Sequence, residues 1–253
     1  VIEVIETNPD EVTILINGQP FVSGTAITTQ GSHELSVIAV DKAGNRKTLT
    51  VRFILDSKFS LSHTILCNGL QVNGNVSVEK IYCNGAVKIN GNNVRIDYLG
   101  LTALSIPNIG KSVIKKLETG IPAICLPQPD WDGLTKATAL INKIEKGKKY
   151  SNIRYNGNLE LSGNQPQIAG LLVVNGDLTI NGNLDFKDLA IFCAGKVNIM
   201  GNVKMNGLIY TKEMKIAGNS KLTGAVIVTG NLVLEGNASC KTGDVQSYEQ
   251  WLR

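Results

Sequence analysis

Apolar and polar residues alternate in short stretches from residue 69 onward in this 253-residue chain, and one phrase returns about every eighteen residues. The phrase is glycine, any residue, apolar, any, apolar, any, then Gly-Asn. Full copies begin at Gly85, Gly157, Gly176, Gly195 and Gly230, with an imperfect copy at 212–219 and a shortened one at 69–75. Alternation with a period of two is typical of a strand with one buried face. Such a repeat indicates a solenoid, in which each repeat buries its apolar residues against its neighbours.

Each repeat holds three short apolar pieces separated by turn residues. One piece precedes the phrase, as at 171–174, one lies inside it, and one follows the Gly-Asn, as at 184–186. Such pieces are too short for helices, and Gly and Asn suit tight corners. The sequence therefore predicts a parallel β-helix of about seven rungs, a rung being one turn of the coil. A right-handed coil is the default for parallel crossovers, although a left-handed hexapeptide-type helix also fits three short strands per repeat.

Stacked rungs place equivalent residues above one another at the strand spacing of about 4.8 Å. This predicts an amide ladder of Asn183, Asn202, Asn219 and Asn237. Cys67 and Cys83 occupy equivalent places and are expected to stack as buried free thiols, with a disulfide between rungs as the alternative. Five cysteines without a CxxC pair predict no zinc site, and nothing in the chain indicates a cofactor.

Residues 1–57 have longer alternating strands divided by turn signals, which favours a small antiparallel sandwich. The runs 16–24, 31–35 and 53–56, and above all Asp-Lys-Ala-Gly-Asn at 41–45, resemble the bacterial immunoglobulin-like repeats of secreted and surface proteins. The resemblance implies a spacer module. Calcium binding between modules by Asp41, Asn45 and Asp56 is a weaker alternative, because no dense Asp-x-Asp pattern accompanies them.

The fold class predicted is thus all-β, with an immunoglobulin-like sandwich over 1–57 and a β-helix domain over 58–253. An insertion at 93–155 interrupts the repeat. Within it, 112–120 and about 133–146 are predicted to be helices, the second amphipathic and covering the flank of the solenoid. Residues 244–253 depart from the repeat and are expected to cap the exposed last rung.

The insertion carries the candidate binding residues. Trp131 with Tyr98, Tyr150 and Tyr155 forms a hypothetical aromatic platform for sugar rings; the alternative is that Trp131 only fastens the helix to the solenoid. Lys148 and Lys149 belong to a basic cluster at 141–154 that accounts for most of the net charge of +4. That cluster either meets an anionic polymer or lies at the end of a helix, where cations favour the helix dipole.

Catalysis is disfavoured by the pattern of acidic residues and histidines. Asp185 and Asp188 have no partner at the same place in adjacent repeats, and neither His33 nor His63 lies in the repeat body. The other candidate catalytic carboxylates are Asp177, Glu160 and Glu235. Polysaccharide lyases and hydrolases need grouped carboxylates or a basic residue beside a metal, so we predict no catalytic residues and no metal.

The solenoid half resembles the β-helical domains of bacterial surface and pilus-associated proteins, and more loosely the bactofilin polymer-forming proteins. Together the two resemblances imply a non-catalytic protein of the bacterial cell surface, outside the cell and part of a longer chain. Our main hypothesis is an adhesin that binds polysaccharide or extracellular matrix through the insertion. The alternative is a structural stalk or self-assembling scaffold without a ligand. No nucleic-acid partner is expected. No membrane insertion is expected either, because no apolar run is long enough to span a bilayer.

Overall fold

The structure is a computed structural model that describes residues 9–25, 27, 31–55, 61, 64–91, 93–105, 112–145, 147–163 and 167–253. These residues form an all-β protein with two short helices. In chain order the strands are β1 (Pro9–Ile16), β2 (Gln19–Pro20), β3 (Gly31–Asp41), β4 (Arg46–Leu55), β5 (Ile65–Gly74), β6 (Ser77–Cys83), β7 (Val87–Ile89), β8 (Arg95–Leu101), β9 (Val113–Glu118), β10 (Ala123–Ile124), β11 (Ala139–Ile141), β12 (Lys149–Tyr155), β13 (Leu159–Ser162), β14 (Gln167–Val174), β15 (Leu178–Cys193), β16 (Lys196–Thr211), β17 (Glu213–Ile216), β18 (Lys221–Gly236) and β19 (Ser239–Lys241). The helices are α1 (Trp131–Ala137) and α2 (Gln246–Glu249).

Contacts divide the chain into two units, one of Val1–Phe59 with Pro122–Cys125 and one of Ser60–Ile121 with Leu126–Arg253. In the first unit the described strands form one sheet in the order β10-β4-β3-β1-β2, antiparallel except for the β10–β4 pair. This sheet is what the structure shows of the predicted sandwich; a second sheet is not found among the described residues of this unit. The beginning of the unit, residues 1–8, lies outside the described residues.

The second unit is a parallel β-solenoid of about nine turns, somewhat longer than the predicted seven. Its layers follow the order β11-β12-β14-β15-β16-β18-β5-β6-β8-β9. Equivalent residues lie in register, as predicted: Ile180 pairs with Ile199, Ile199 with Ile216, and Ile216 with Leu234. All four side chains are fully buried, so the repeat phrase supplies the core one rung at a time.

The layer order differs from the chain order at one place, which we call the seam. Strand β18 pairs with β5 and β19 pairs with β6, so the last complete rung stacks on the first one. Across the seam Asn75 donates to Asn237, 162 residues away. The chain therefore builds the far rungs first, crosses to the other end of the coil, and returns to close the gap. Nothing in the repeat phrase indicates this order, because every rung offers the same pairing surface.

Corners of the coil are fixed by side-chain ladders and stacked glycines. The predicted asparagine ladder is present and extends across the seam through Asn202→Asn183, Asn219→Asn202, Asn237→Asn219, Asn75→Asn237 and Asn93→Asn75. Beside it, Gly182 and Gly201 have φ values of 107° and 95°, where a side chain would be strained. Amide ladders of this kind keep a stack of strands flat.

One predicted helix is a strand and the other is shorter than expected. Residues 113–118 form β9, because Leu117 pairs in register with Leu99 and extends the coil by a rung. Helix α1 begins after the N-cap Asp130, whose carboxylate accepts from the Gly133 N–H, and ends at Ala137. The basic residues 143–149 therefore do not lie at a helix end, and Lys146 is outside the described residues. Since β8, β9 and β12 are rungs, the interruption is much shorter than 93–155.

The C-terminal segment does not cap the last rung, because the first rung already covers it at the seam. Instead, Leu252 bridges Pro129, and the Arg253 guanidinium lies 2.7 Å from the Asp130 carboxylate. The hydrogen bond from the Gly133 N–H and the Arg253 guanidinium hold the pKa of Asp130 below its usual value. Residues 251–253 thus anchor the entry to α1.

Candidate functional site

Each rung contributes one strand to each of three faces of the coil. Face A contains 171–174, 190–193, 208–211, 225–228, 65–67, 81–83 and 99–101. Face B contains 159–162, 178–181, 197–200, 214–217, 232–235, 70–73 and 87–90. Face C contains 184–187, 203–206, 221–223, 239–241, 76–79, 94–97 and 113–115. The three faces differ in what their outward side chains offer.

Face A is covered in part by the crossover segment, residues 126–148, whose helix α1 lies over Tyr210 before the chain joins the coil as β11. Its outward side chains are apolar and buried: Leu171, Val173, Ala190, Phe192, Leu208, Tyr210, Ala225, Ile227, Leu66 and Tyr82. Leu134 of α1 is fully buried, and Trp131 meets the edge of the Tyr210 ring at 6.4 Å between centroids. The Tyr210 hydroxyl also donates to Gln128, at 3.2 Å. This face is therefore a second layer of the core, as predicted for the flank beneath the helix.

Face B is open and lacks aromatic residues. Its central outward column runs in register through Glu160, Thr179, Asn198, Lys215, Val233, Gln71 and Lys88. The neighbouring column includes Asn181, Met200, Ala217, Glu235 and Asn73. Lys215 and Glu235 form an ion pair of 2.8 Å, which also lowers the pKa of Glu235. The middle rungs of face B therefore present uncharged side chains and one neutralised pair.

Face C is open and basic. Lys187, Lys204, Lys221, Lys241 and Arg95 are all exposed. Lys204 and Lys221 lie directly opposite each other in adjacent rungs. The asparagine ladder runs along the corner between faces B and C, so the two faces adjoin but point in different directions.

The aromatic residues proposed as a sugar platform are not brought together. Trp131 is half-buried against Tyr210 on face A, which agrees with its role as a fastener of the helix. Tyr150 and Tyr155 are on β12 and pack partly against the core. Tyr98 is on β8, near the opposite end of the coil.

Around Tyr98 the structure forms a polar groove of about 530 Å³ lined by Glu79, Lys80, Asp97, Tyr98 and Lys116. The Tyr98 hydroxyl donates to Glu118 at 2.8 Å, and Lys116 pairs with the same carboxylate at 2.7 Å. Burial raises the pKa of Tyr98 to about 12. These groups satisfy one another, and this tyrosine ring is engaged by the Lys116 ammonium, 5.5 Å from its centroid.

The two candidate lysines are exposed and lie where the chain enters β12. Lys148 pairs with Glu145 at 2.7 Å, and the pair raises the pKa of Lys148 and lowers that of Glu145. Lys149 is the first residue of β12 and is exposed. Trp131 contacts Tyr210 of β16, and β12 lies three strands away from β16 in the layer order.

The carboxylates considered for catalysis lie in different places. Glu160 and Glu235 are on face B and Asp185 is on face C. Asp177 accepts from the backbone N–H of Lys196 in the next rung, at 2.8 Å, so it completes a corner. Asp188 occupies a turn with a φ of 52°. Among the described residues no three His, Cys, Asp or Glu side chains come together as metal ligands.

The calcium candidate Asp41 and the histidine His33 also have structural roles. Asp41 accepts from Ala43 N–H, Asn45 N–H and the Asn45 amide, which fixes the turn and lowers the pKa of Asp41. Its supposed calcium partner Asp56 lies outside the described residues. His33 is buried and bonded to Asn17 at 3.0 Å, whereas His63 lies outside the described residues.

Cys67 and Cys83 stack in register as predicted, and both are buried free thiols. The neighbouring thiol and burial raise the pKa of Cys67 well above its usual value, and burial raises that of Cys240 to about 12. Thiolates are the reactive form, so we expect a thiol reagent to modify only the exposed Cys125 in the folded protein and all five cysteines after denaturation. The measurement is a colorimetric thiol titration with and without denaturant. Three thiols in the denatured protein would instead indicate a disulfide.

No family model and no curated protein matches the chain. Two solved structures are similar to it. Both are ice-binding proteins. One is the DUF3494 domain of ice-binding protein 1 from Shewanella frigidimarina, with 15% identity, 72% of this chain and 95% of that chain covered, and a TM-score of 0.39. The other is from an Antarctic biological consortium, with 8% identity, 78% and 96% covered, and a TM-score of 0.41.

These comparisons correct the functional hypothesis. Neither similar structure is described as binding polysaccharide or matrix. The prediction of an adhesin with polysaccharide or extracellular matrix as its partner was therefore wrong. Insertions in solenoids often carry the function, but most of 93–155 forms rungs of the coil in the structure. Helix α1 lies over face A, and the open surfaces belong to the repeats themselves.

Proposed function

We propose that the chain is a non-catalytic protein that binds ice through face B. The observation that carries the proposal is that face B is an open array of strands, in register over seven rungs and edged by an amide ladder. A surface that repeats in two directions complements another repeating surface, and ladders favour its flatness.

The chemistry of face B favours ice over the other flat repeating surfaces. Sugar rings bind proteins by stacking on aromatic side chains, and the seven strands of face B contain no Phe, Tyr or Trp. Strongly charged side chains keep their own hydration water, which would separate a face from a lattice of ordered water. Thr179, Asn198 and Val233 lie in the central column, and the Lys215–Glu235 pair is neutral as a whole.

The test places bulky side chains on face B. Thr179→Tyr with Ala217→Tyr should raise two rings above the central rungs and prevent close contact with a flat lattice. We expect the unchanged protein to concentrate in slowly growing ice and the double variant to stay in the liquid. The matched control is Ser77→Tyr with Ser239→Tyr, which adds two tyrosines to face C instead. This variant should still enter the ice.

Circular dichroism and the thermal midpoint establish that both double variants remain folded. If the unchanged protein is excluded from ice, the proposed function is wrong. If the face C variant is excluded as well as the face B variant, ice binding is retained but face B is not the surface.

The absence of catalysis is supported by the distribution of the carboxylates over faces B and C and their corners. The right hand of the coil is supported by the general preference of parallel crossovers, and the immunoglobulin-like nature of the first unit by the resemblance at 41–45. A protein that binds ice would act where ice forms, outside the cell. Among the described residues no helix is long and apolar enough to cross a membrane.

A further inference from the structure

Face C carries more positive charge than its own carboxylates neutralise. Six basic and three acidic side chains point outward from it, namely Lys187, Lys204, Lys221, Lys241, Arg95, Lys115, Asp185, Glu79 and Asp97. Like charges directly opposite on adjacent strands are destabilising, yet Lys204 and Lys221 are such a pair. An anionic partner bound across these two strands would relieve the repulsion between the two ammonium groups.

The acidic residues of face C are largely engaged. Asp97 pairs with Lys115 at 2.8 Å. Glu79 accepts from the Thr242 N–H at 2.7 Å, and hydrogen bonds from the side chain and the backbone of Thr242 hold the pKa of Glu79 below its usual value. Asp185 lies opposite Lys204 in register. Within the described part of the chain, Lys187, Lys204, Lys221, Lys241 and Arg95 make no ion pair shorter than 4.0 Å.

One exposed apolar side chain lies at the end of face C, on the same strand as Lys115. Val113 is an outward residue of β9, opposite Arg95, and 56% of its side chain is exposed. An exposed valine adds nothing to the binding of a soluble polyanion. At a lipid surface, however, an apolar side chain beside cations enters the boundary between headgroups and acyl chains, while the cations remain at the phosphates.

We infer that face C binds the surface of an anionic lipid bilayer. The five lysines and Arg95 lie on six of the seven strands of face C, which are about 4.8 Å apart, so a planar array of phosphates can meet them together. Each basic residue held near such a surface contributes to binding, and the contribution falls with salt. Because faces B and C adjoin at the asparagine ladder, a chain seated on a bilayer would still present face B.

The test is sedimentation of the intact chain with phosphatidylglycerol vesicles. We expect binding at low salt, release at high salt, and no binding to phosphatidylcholine vesicles. Lys204→Glu with Lys221→Glu should weaken binding about tenfold or more. Lys42→Glu with Lys47→Glu makes the same change of charge at exposed residues of the other unit and should have little effect.

Two further arms separate a lipid surface from a soluble polyanion. Val113→Ser should weaken vesicle binding severalfold and leave the binding of inorganic polyphosphate unchanged. Binding to polyphosphate without binding to phosphatidylglycerol vesicles would overturn the inference, as would equal sedimentation with both kinds of vesicle or an equal loss in the Lys42/Lys47 variant. The assay involves no ice, so its outcome is independent of the proposed function.

Discussion

Replacing Gly224 by alanine is expected to lower the free energy of unfolding by about 3–5 kcal/mol. Gly224 has a φ of 131° and lies at the corner between faces C and A, directly over Gly207. A Cβ at this position would overlap the carbonyl oxygen of Gly207, which is backbone and cannot turn aside. The two rungs would have to separate, and the β16–β18 pairing would be lost at that corner.

The matched control for this change is Gly157→Ala. Gly157 also has a positive φ, 101°, but nothing lies within 4 Å of its would-be Cβ. It should therefore lose only the conformational term of about 1–2 kcal/mol. Urea denaturation of the two variants measures the difference. Equal losses would mean that the close approach of successive corners contributes nothing to stability.

Tyr210→Ala should cost about 3–5 kcal/mol, because it removes a buried ring that joins the coil to the crossover segment. The ring stacks on Phe192 and meets the edge of Trp131, each at 6.4 Å between centroids, and its hydroxyl donates to Gln128. Burial raises the pKa of this hydroxyl. Loss of the ring leaves a cavity between face A and α1.

Tyr210→Phe is the control, since it keeps the ring and removes only the hydroxyl, at a cost of about 0.5–1.5 kcal/mol. Urea denaturation followed by tryptophan fluorescence reports the global loss. Protease cleavage within 126–148 reports whether α1 has loosened. If the alanine variant is no less stable than the phenylalanine variant, the crossover segment is held by contacts other than this ring.

The rungs could be predicted from the sequence because their signal is local and repeated. The spacing of Gly182, Gly201 and Gly218 fixed the register, and the structure confirms the ladder of asparagines that follow them. Residues 113–118 were misassigned because a short apolar stretch does not distinguish a helix from a buried strand. Pairing with β8 decided the matter, and that contact is invisible in the segment itself.

The candidate site was harder to predict than the fold. Aromatic residues are rare in this chain, so Trp131 drew attention as a ligand platform, yet the apolar outward side chains of face A needed a cover. The sequence does indicate that face A is covered, in runs such as 171–174, where every residue is apolar rather than every second one. A strand buried on both sides reads in this way. Faces B and C became separable only once the register had placed each column.

The seam sets the order of assembly against the order of synthesis. Strand β5 leaves the ribosome early, with its pairing edge and apolar interior open to one side, and its neighbour β18 follows more than 150 residues later. At about 5–20 residues per second, that edge waits on the order of ten seconds or more for its partner. Contacts so distant along the chain also slow folding. During this interval a nascent chain can pair with the same edge of another, so production at low temperature and low expression rate should favour soluble protein.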